Sequence, residues 1–116
     1  MKTNELTGAA LDWAVAKCEQ AAGMNIREGY GGSLLVVNAN DFGAPANYST
    51  DWAQGGPIIE RELLLLRPYG LSWECSMGGI NWFKGTTPLI AAMRCYVASK
   101  LGDEVEIPNE LTMLGE

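Results

Sequence analysis

The chain contains no histidine, and that one absence removes a large part of enzyme chemistry. Without imidazole there is no unperturbed side chain titrating near neutral pH, no Ser-His or Cys-His nucleophile pair and no histidine metal ligand. Cysteine is scarce as well. Cys18, Cys75 and Cys95 are odd in number and far apart, which fits reduced thiols and offers no zinc-site spacing. No glycine stretch matches a phosphate loop or a dinucleotide fingerprint, so no cofactor and no metal are expected. No apolar run approaches the roughly 20 residues that span a bilayer, and Met1-Lys2-Thr3-Asn4-Glu5 lacks the basic then apolar order of a secretory signal. A cytoplasmic protein without a membrane partner is the expectation. The few bases, Lys2, Lys17, Arg27, Arg61, Arg67, Lys84, Arg94 and Lys100, are scattered singly, and duplex nucleic acid, which is held through clustered Lys and Arg, is not an expected partner.

The residues that are present describe an ordinary folded domain. At 116 residues, 47% hydrophobic and 19% charged, the chain supports one core and is too short for two. The formal charge is −6, from 14 acids and 8 bases. Asp103, Glu104, Glu106, Glu110 and Glu116 all lie after Gly102 with no base among them, so a nearly neutral body precedes an acidic C-terminal tail from about residue 103.

The spacing predicts a first helix over 7–22, with Thr7 as cap, Leu6 and Leu11 as a hydrophobic staple, and Gly23 as its stop. Leu11, Ala14, Val15, Cys18 and Ala22 share one face, with Asp12, Glu19 and Gln20 away from it and Trp13 on the wetter side. A hairpin is expected from 24–28, the turn 29–32 and the strand 33–38. Residues 38–48 read as a flexible loop. Leu63 to Leu66 read as a strand covered on both faces and stopped by Arg67-Pro68, with another strand from Leu71 to Met77 turned by Gly78-Gly79. A second helix runs from Thr87, its cap, and Pro88 to Lys100, with Gly102 ending it. That helix is nearly free of charge on both sides, so it is either sandwiched inside the domain or forms a homo-oligomer contact; the expectation is an oligomer through the 88–101 helix. Val105-Glu106-Ile107 alternates like an edge strand. These elements make the expected fold class α+β, two helices packed on a small, mainly antiparallel sheet.

The stretch from Ser49 to Arg61 is the hardest to explain as scaffold. Ser49 or Thr50 would cap a short helical turn, Gly55-Gly56 would let the backbone turn sharply, and Pro57 would start the next element. Such a corner can merely redirect the chain around a buried Trp52. It can also bind, with Trp52 stacking on a flat group while Asp51, Gln54, the Gly55 and Gly56 amides and Arg61 take its polar edges. The helix start at Thr86 and Thr87 attracts anions, Trp82 stands just upstream, and Arg94 lies farther along the same helix. If both sites face one crevice, the set suits a nucleotide.

The blocks Leu6 to Ala16, Ser49 to Arg61 and Thr87 to Arg94 resemble the NinX-like family of small proteins from lambdoid phages and prophages. Residues 24–48 and 68–84 are not placed on that pattern. The resemblance implies a phage accessory protein working in the cytoplasm of its bacterial host and carries over no catalytic residues. The leading expectation is a non-catalytic binder that sequesters a small host ligand, such as an antiviral signalling nucleotide. The alternative is a protein-interaction module that inhibits or redirects a host protein, using exposed Trp faces and the acidic tail. A small hydrolase built on a carboxylate pair is third.

Overall fold

The computed structural model describes residues 1–29, 33–38, 40–108 and 111. After a 3-10 turn at Thr3–Glu5, the elements in chain order are α1 (Gly8–Ala21), β1 (Ile26–Glu28), β2 (Leu34–Val37), β3 (Gly43–Pro45), α2 (Trp52–Arg61), β4 (Leu65–Tyr69), β5 (Ser72–Ser76), β6 (Trp82–Gly85) and α3 (Pro88–Leu101). The class is α+β as expected. A third helix and a division of the strands into two antiparallel sheets, ordered β1-β2-β3 and β4-β5-β6, add to it.

Helix α3 is the centre. It packs on β4, β5 and β6 with one side and against α1 and α2 with others, and Leu89, Ala91, Ala92, Met93, Cys95, Tyr96 and Val97 are all buried. Its broad apolar surface is thus consumed inside the domain, with the small residues allowing the close approach that large ones would forbid. Of the large apolar residues of the 88–101 helix, through which an oligomer contact is expected, only Leu101, in the last turn, is exposed. Thr87 accepts from the Ile90 amide at 3.2 Å as the cap, and Gly102 ends the helix at φ +86°.

Helix α1 lies between α3 and the first sheet. Leu6 and Leu11 are both fully buried, as a staple requires. Thr7 occupies the cap position with extended dihedrals, but its side chain makes no capping bond. Asp12 and Glu19, expected away from the core, are instead buried, because a helix covered on two sides buries its polar residues wherever partners exist. Asp12 accepts the Ser49 amide at 2.8 Å. Burial raises the Asp12 carboxyl above its ordinary value, and the bonds from Ser49 only partly offset that.

The first hairpin forms with Ile26 opposite Val36 and Glu28 opposite Leu34; its tip, Tyr30, Gly31 and Gly32, lies outside the described residues. The segment expected to be a loop carries a strand, β3, paired on β2 with Pro45 opposite Leu35. In the second sheet, β4 begins two residues later than expected and runs through Arg67 and Pro68, which do not stop it. Pro68 is tolerated because β4 is an edge strand. Nor are the leucines covered on both faces: Leu64 is buried, while Leu63 and Leu65 are exposed. β5 pairs with an additional strand, β6, around the expected turn at Gly78-Gly79, both with φ above +80°. Residues 105–107 form no strand. Val105 instead exchanges backbone hydrogen bonds with Met1, and Asp103 accepts the Thr3 amide, so this first part of the acidic segment is tied to the N-terminus. Residues 109, 110 and 112–116 of the expected tail lie outside the described residues.

Candidate functional site

The stretch expected to turn sharply is a continuous ten-residue helix. Asp51, not Ser49 or Thr50, is its cap: its carboxylate accepts the Ala53 amide at 2.9 Å. Gly55 and Gly56 sit inside α2 in helical conformation, and their smallness serves packing. A Cβ on Gly55 would lie 2.5 Å from the Tyr48 carbonyl oxygen and 2.7 Å from Leu89 Cδ2. Only glycine lets the helix seat there. Gly56 faces the other way, with the Trp52 ring 3.9 Å from where its Cβ would stand. The indole therefore lies along the helix over the bare backbone one turn on.

The end of α2 is its most telling feature. The Leu63 amide donates to Glu60 and the Leu64 amide to Ile59, the paired bonds of a Schellman stop, which places Leu63 where glycine is the usual residue. Leu63 has φ +54°. Helix α1 ends in the same way, with Gly23 donating to Gln20 and Met24 to Glu19, and there the left-handed residue is glycine. At Leu63 the chain accepts a left-handed branched residue and leaves it 81% exposed. Together with Trp52, 55% exposed, it lines a shallow groove of about 430 Å³ whose other walls are Gly56, Ile59, Glu60 and Leu64. The groove is apolar except for one carboxylate.

The remaining expected site residues lie outside this groove, and most of them make contacts within the chain. Gln54 accepts the Asn47 amide at 2.6 Å and donates to the Pro45 carbonyl at 3.0 Å, fastening β3 to the approach to α2. Arg61 turns inward. Its Nη atoms donate to both carboxylate oxygens of Glu19 at 3.2 and 2.7 Å, and its Nε donates to Glu62 at 3.0 Å. Tyr96 donates its hydroxyl to Glu19 at 2.7 Å. A bidentate guanidinium and a phenol thus satisfy a carboxylate that is only 6% exposed. The Glu19 carboxylate holds the Arg61 guanidinium above its ordinary value, and Arg61 holds Glu62 below its own. Burial, with the Glu19 hydrogen bond second, pushes the Tyr96 phenol up.

Arg94 donates to the Leu6 and Lys84 carbonyls, each at 2.8 Å, tying α3 to β6 and to the segment ahead of α1, and burial lowers its value. Thr87 is spent as a cap, with Thr86 exposed before it. Trp82 lies under Arg67, whose guanidinium carbon is 3.7 Å from the ring centroid. None of Trp82, Thr86, Thr87 and Arg94 lines the Trp52 groove, so the two halves of the expected nucleotide crevice do not meet there.

Sequence reasoning missed Leu63 and Ile59 as site residues. Counting turns from a helix begun at Asp51 would have put Ile59 and Leu63 on the Trp52 side at i+7 and i+11, but the glycines argued against that helix. Cys18, Cys75 and Cys95 are free and buried, and burial beside Glu19 pushes the Cys18 thiol up to about 11, away from a nucleophile's range. Among the described residues no group of three or more His, Cys, Asp or Glu side chains is placed to hold a metal ion, and no helix is long and apolar enough to cross a membrane.

A search of curated proteins gives no match. The family model described as Bacteriophage P22, NinX matches residues 2–100. That span takes in α1, α2, every strand and all but the last residue of α3, so this chain belongs to the phage NinX family.

Proposed function

We propose that this chain is a non-catalytic phage accessory protein that docks onto a host protein through the outer face of α2. The observation that carries the reading is Leu63. A leucine held at φ +54° costs roughly 1 kcal/mol against glycine, and at 81% exposure it recovers little within the chain. The Schellman stop calls for a left-handed residue here but not for a leucine, and a strained, exposed side chain that the stop does not need is read as one that function uses. Trp52 and Ile59 extend the same surface, and a flat aromatic beside aliphatic side chains is what interface anchors are made of. The groove offers one carboxylate and no cation among its walls, which suits an apolar protein surface bearing a base better than a phosphate. Inhibition or redirection of the bound host factor needs no chemistry from this chain, consistent with buried thiols and the absence of histidine.

Sequestration of a small ligand keeps one supporting feature. Gln54 lines, with Glu19, Tyr48, Ile26 and Val36, a separate cavity of about 210 Å³, small for a nucleotide. Mass spectrometry of what heat releases from the purified chain tests that reading.

The test of docking compares affinity capture from host lysate by the chain and by a Trp52→Ser, Leu63→Gly double variant, followed by titration of the purified captured protein. The expected result is one host protein lost with the variant, each anchor weakening binding by at least about 30-fold. Equal binding by both forms would refute it. Light scattering of the chain alone reports whether a second copy fills the groove instead.

A further inference from the structure

The second sheet has a face that no helix covers. Register places Leu66, Cys75 and Phe83 in one row on the α3 side. The alternate residues Leu65, Arg67, Tyr69, Ser72, Glu74, Ser76, Trp82 and Lys84 share the opposite face. Arg67 on β4 reaches over β5 to Trp82 on β6, 3.7 Å from its centroid; Lys84 on β6 reaches back to Tyr69 on β4, 4.2 Å from its centroid. Both cation–π pairs cross the central strand. They roof its polar residues so well that Glu74 is 3% and Ser76 0% exposed.

The roof has unused capacity. Arg67 donates its Nε to Glu74, and its Nη groups make no hydrogen bond among the described residues. Its side chain is 56% exposed. At 3.7 Å from the ring centroid the guanidinium carbon is well within cation–π reach, so the exposed Arg67 head forms a cationic shelf resting on Trp82. Lys84 is exposed and pairs with no carboxylate among the described residues, and Tyr69 is 51% exposed. Underneath, the buried Ser76 hydroxyl has no partner among the described residues. The face carries two cations and one buried carboxylate, so it is locally positive on a chain of net charge −6.

We propose that this open face binds single-stranded nucleic acid, one base stacking on the Arg67 shelf and another on the part of the half-exposed Tyr69 ring that Lys84 leaves uncovered, with Lys84 and the Arg67 Nη groups meeting the phosphates between them. Bases stack on guanidinium planes as readily as on rings, and the faces of small antiparallel sheets are wide enough to lay two bases side by side, the edge strands being about 10 Å apart. Alternating flat platforms and cations match a strand of bases and phosphates. A duplex hides its base faces and leaves only two cations to hold it. This surface is on a different element from the α2 groove and stands independently of the docking reading.

The test uses the full chain and fluorescein-labelled short oligothymidylate and oligouridylate, read by anisotropy at low salt. Single strands are expected to bind, with log K falling against log salt at a slope of about −1.4 for two phosphate contacts. Tyr69→Ala, at a half-exposed position, should weaken binding about 10- to 100-fold with little change in melting temperature. Lys84→Gln should weaken it and flatten the salt slope to about half. If Tyr69→Ala proves unstable, Lys84→Gln alone decides. The proposal is overturned by no anisotropy change up to the solubility limit, by equal affinity for a duplex or a mononucleotide, or by variants that alter stability and leave binding unchanged.

Discussion

Replacing Arg61 with methionine distinguishes a ligand-binding arginine from a structural one. Methionine keeps much of the apolar stem and removes the charge. In the folded chain that leaves the Glu19 carboxylate, 6% exposed, with the Tyr96 hydroxyl as its one side-chain hydrogen-bond partner among the described residues. Breaking a buried pair from one side costs about 3–5 kcal/mol, and because the Arg61 side chain is 33% exposed and partly screened, the figure scales down to about 2–3 kcal/mol. For a domain of 116 residues each kcal/mol is worth about 4 °C, so the melting temperature should fall by about 8–12 °C. Thermal melts by circular dichroism, with urea titrations at one temperature, measure it. Adding Glu19→Gln to Arg61→Met should restore part of the loss, since the orphaned charge is removed, and the cycle should show coupling above about 1 kcal/mol. A fall of less than about 2 °C, or strictly additive single effects, would refute the account of this cluster and make Arg61 a cation available to a ligand.

Neighbouring glycines of α2 should respond with opposite signs. Gly55→Ala drives a Cβ to 2.5 Å from the Tyr48 carbonyl oxygen and should destabilise by about 1–2 kcal/mol even after the helix-propensity gain, whereas Gly56→Ala meets nothing closer than 3.9 Å and should stabilise by about 0.5–1 kcal/mol; urea midpoints check both. Leu63→Gly relieves a left-handed leucine and should raise stability by about 1 kcal/mol in the same assay while weakening host-protein binding, a trade that a merely structural leucine would not show. Asp12 has a carboxyl raised by burial, so its contribution to stability is full below its ordinary value of 3.8 and is lost as pH rises through the folded value. Asp12→Asn removes that loss, and its stability relative to the parent should increase as pH is raised from about 3 toward neutral; a difference that stays flat would count against a raised Asp12. Cys18, at about 11 and buried, should react with iodoacetamide far more slowly than a free thiol at mildly alkaline pH, as mass spectrometry of labelled peptides will show.

Local rules were enough for much of this chain. Thr87-Pro88 and Gly102 bracket α3, and Gly23 stops α1, because caps and left-handed stops depend on residues within one turn of each other. The first hairpin is legible from its apolar strand and turn. The family blocks at both ends and in the middle lie within the span that the family match covers. Tertiary structure decided the rest. Gly55 and Gly56 look like a corner when only backbone freedom is considered; they stay helical because Leu89 and Tyr48 press against one and the Trp52 ring lies on the other. Pro68 belongs in a strand because β4 happens to be an edge, a fact fixed by β5 and β6 lying on its other side. Helical periodicity placed Glu19 away from the apolar face, yet Arg61 and Tyr96, separated from it by 42 and 77 positions, arrive to satisfy it in the core. Sequence specifies which residues can ionise, stack or turn over a few positions. Whether a tryptophan is covered or an arginine is free depends on what distant segments bring to it, and here Trp52 was left open while Arg61 was taken.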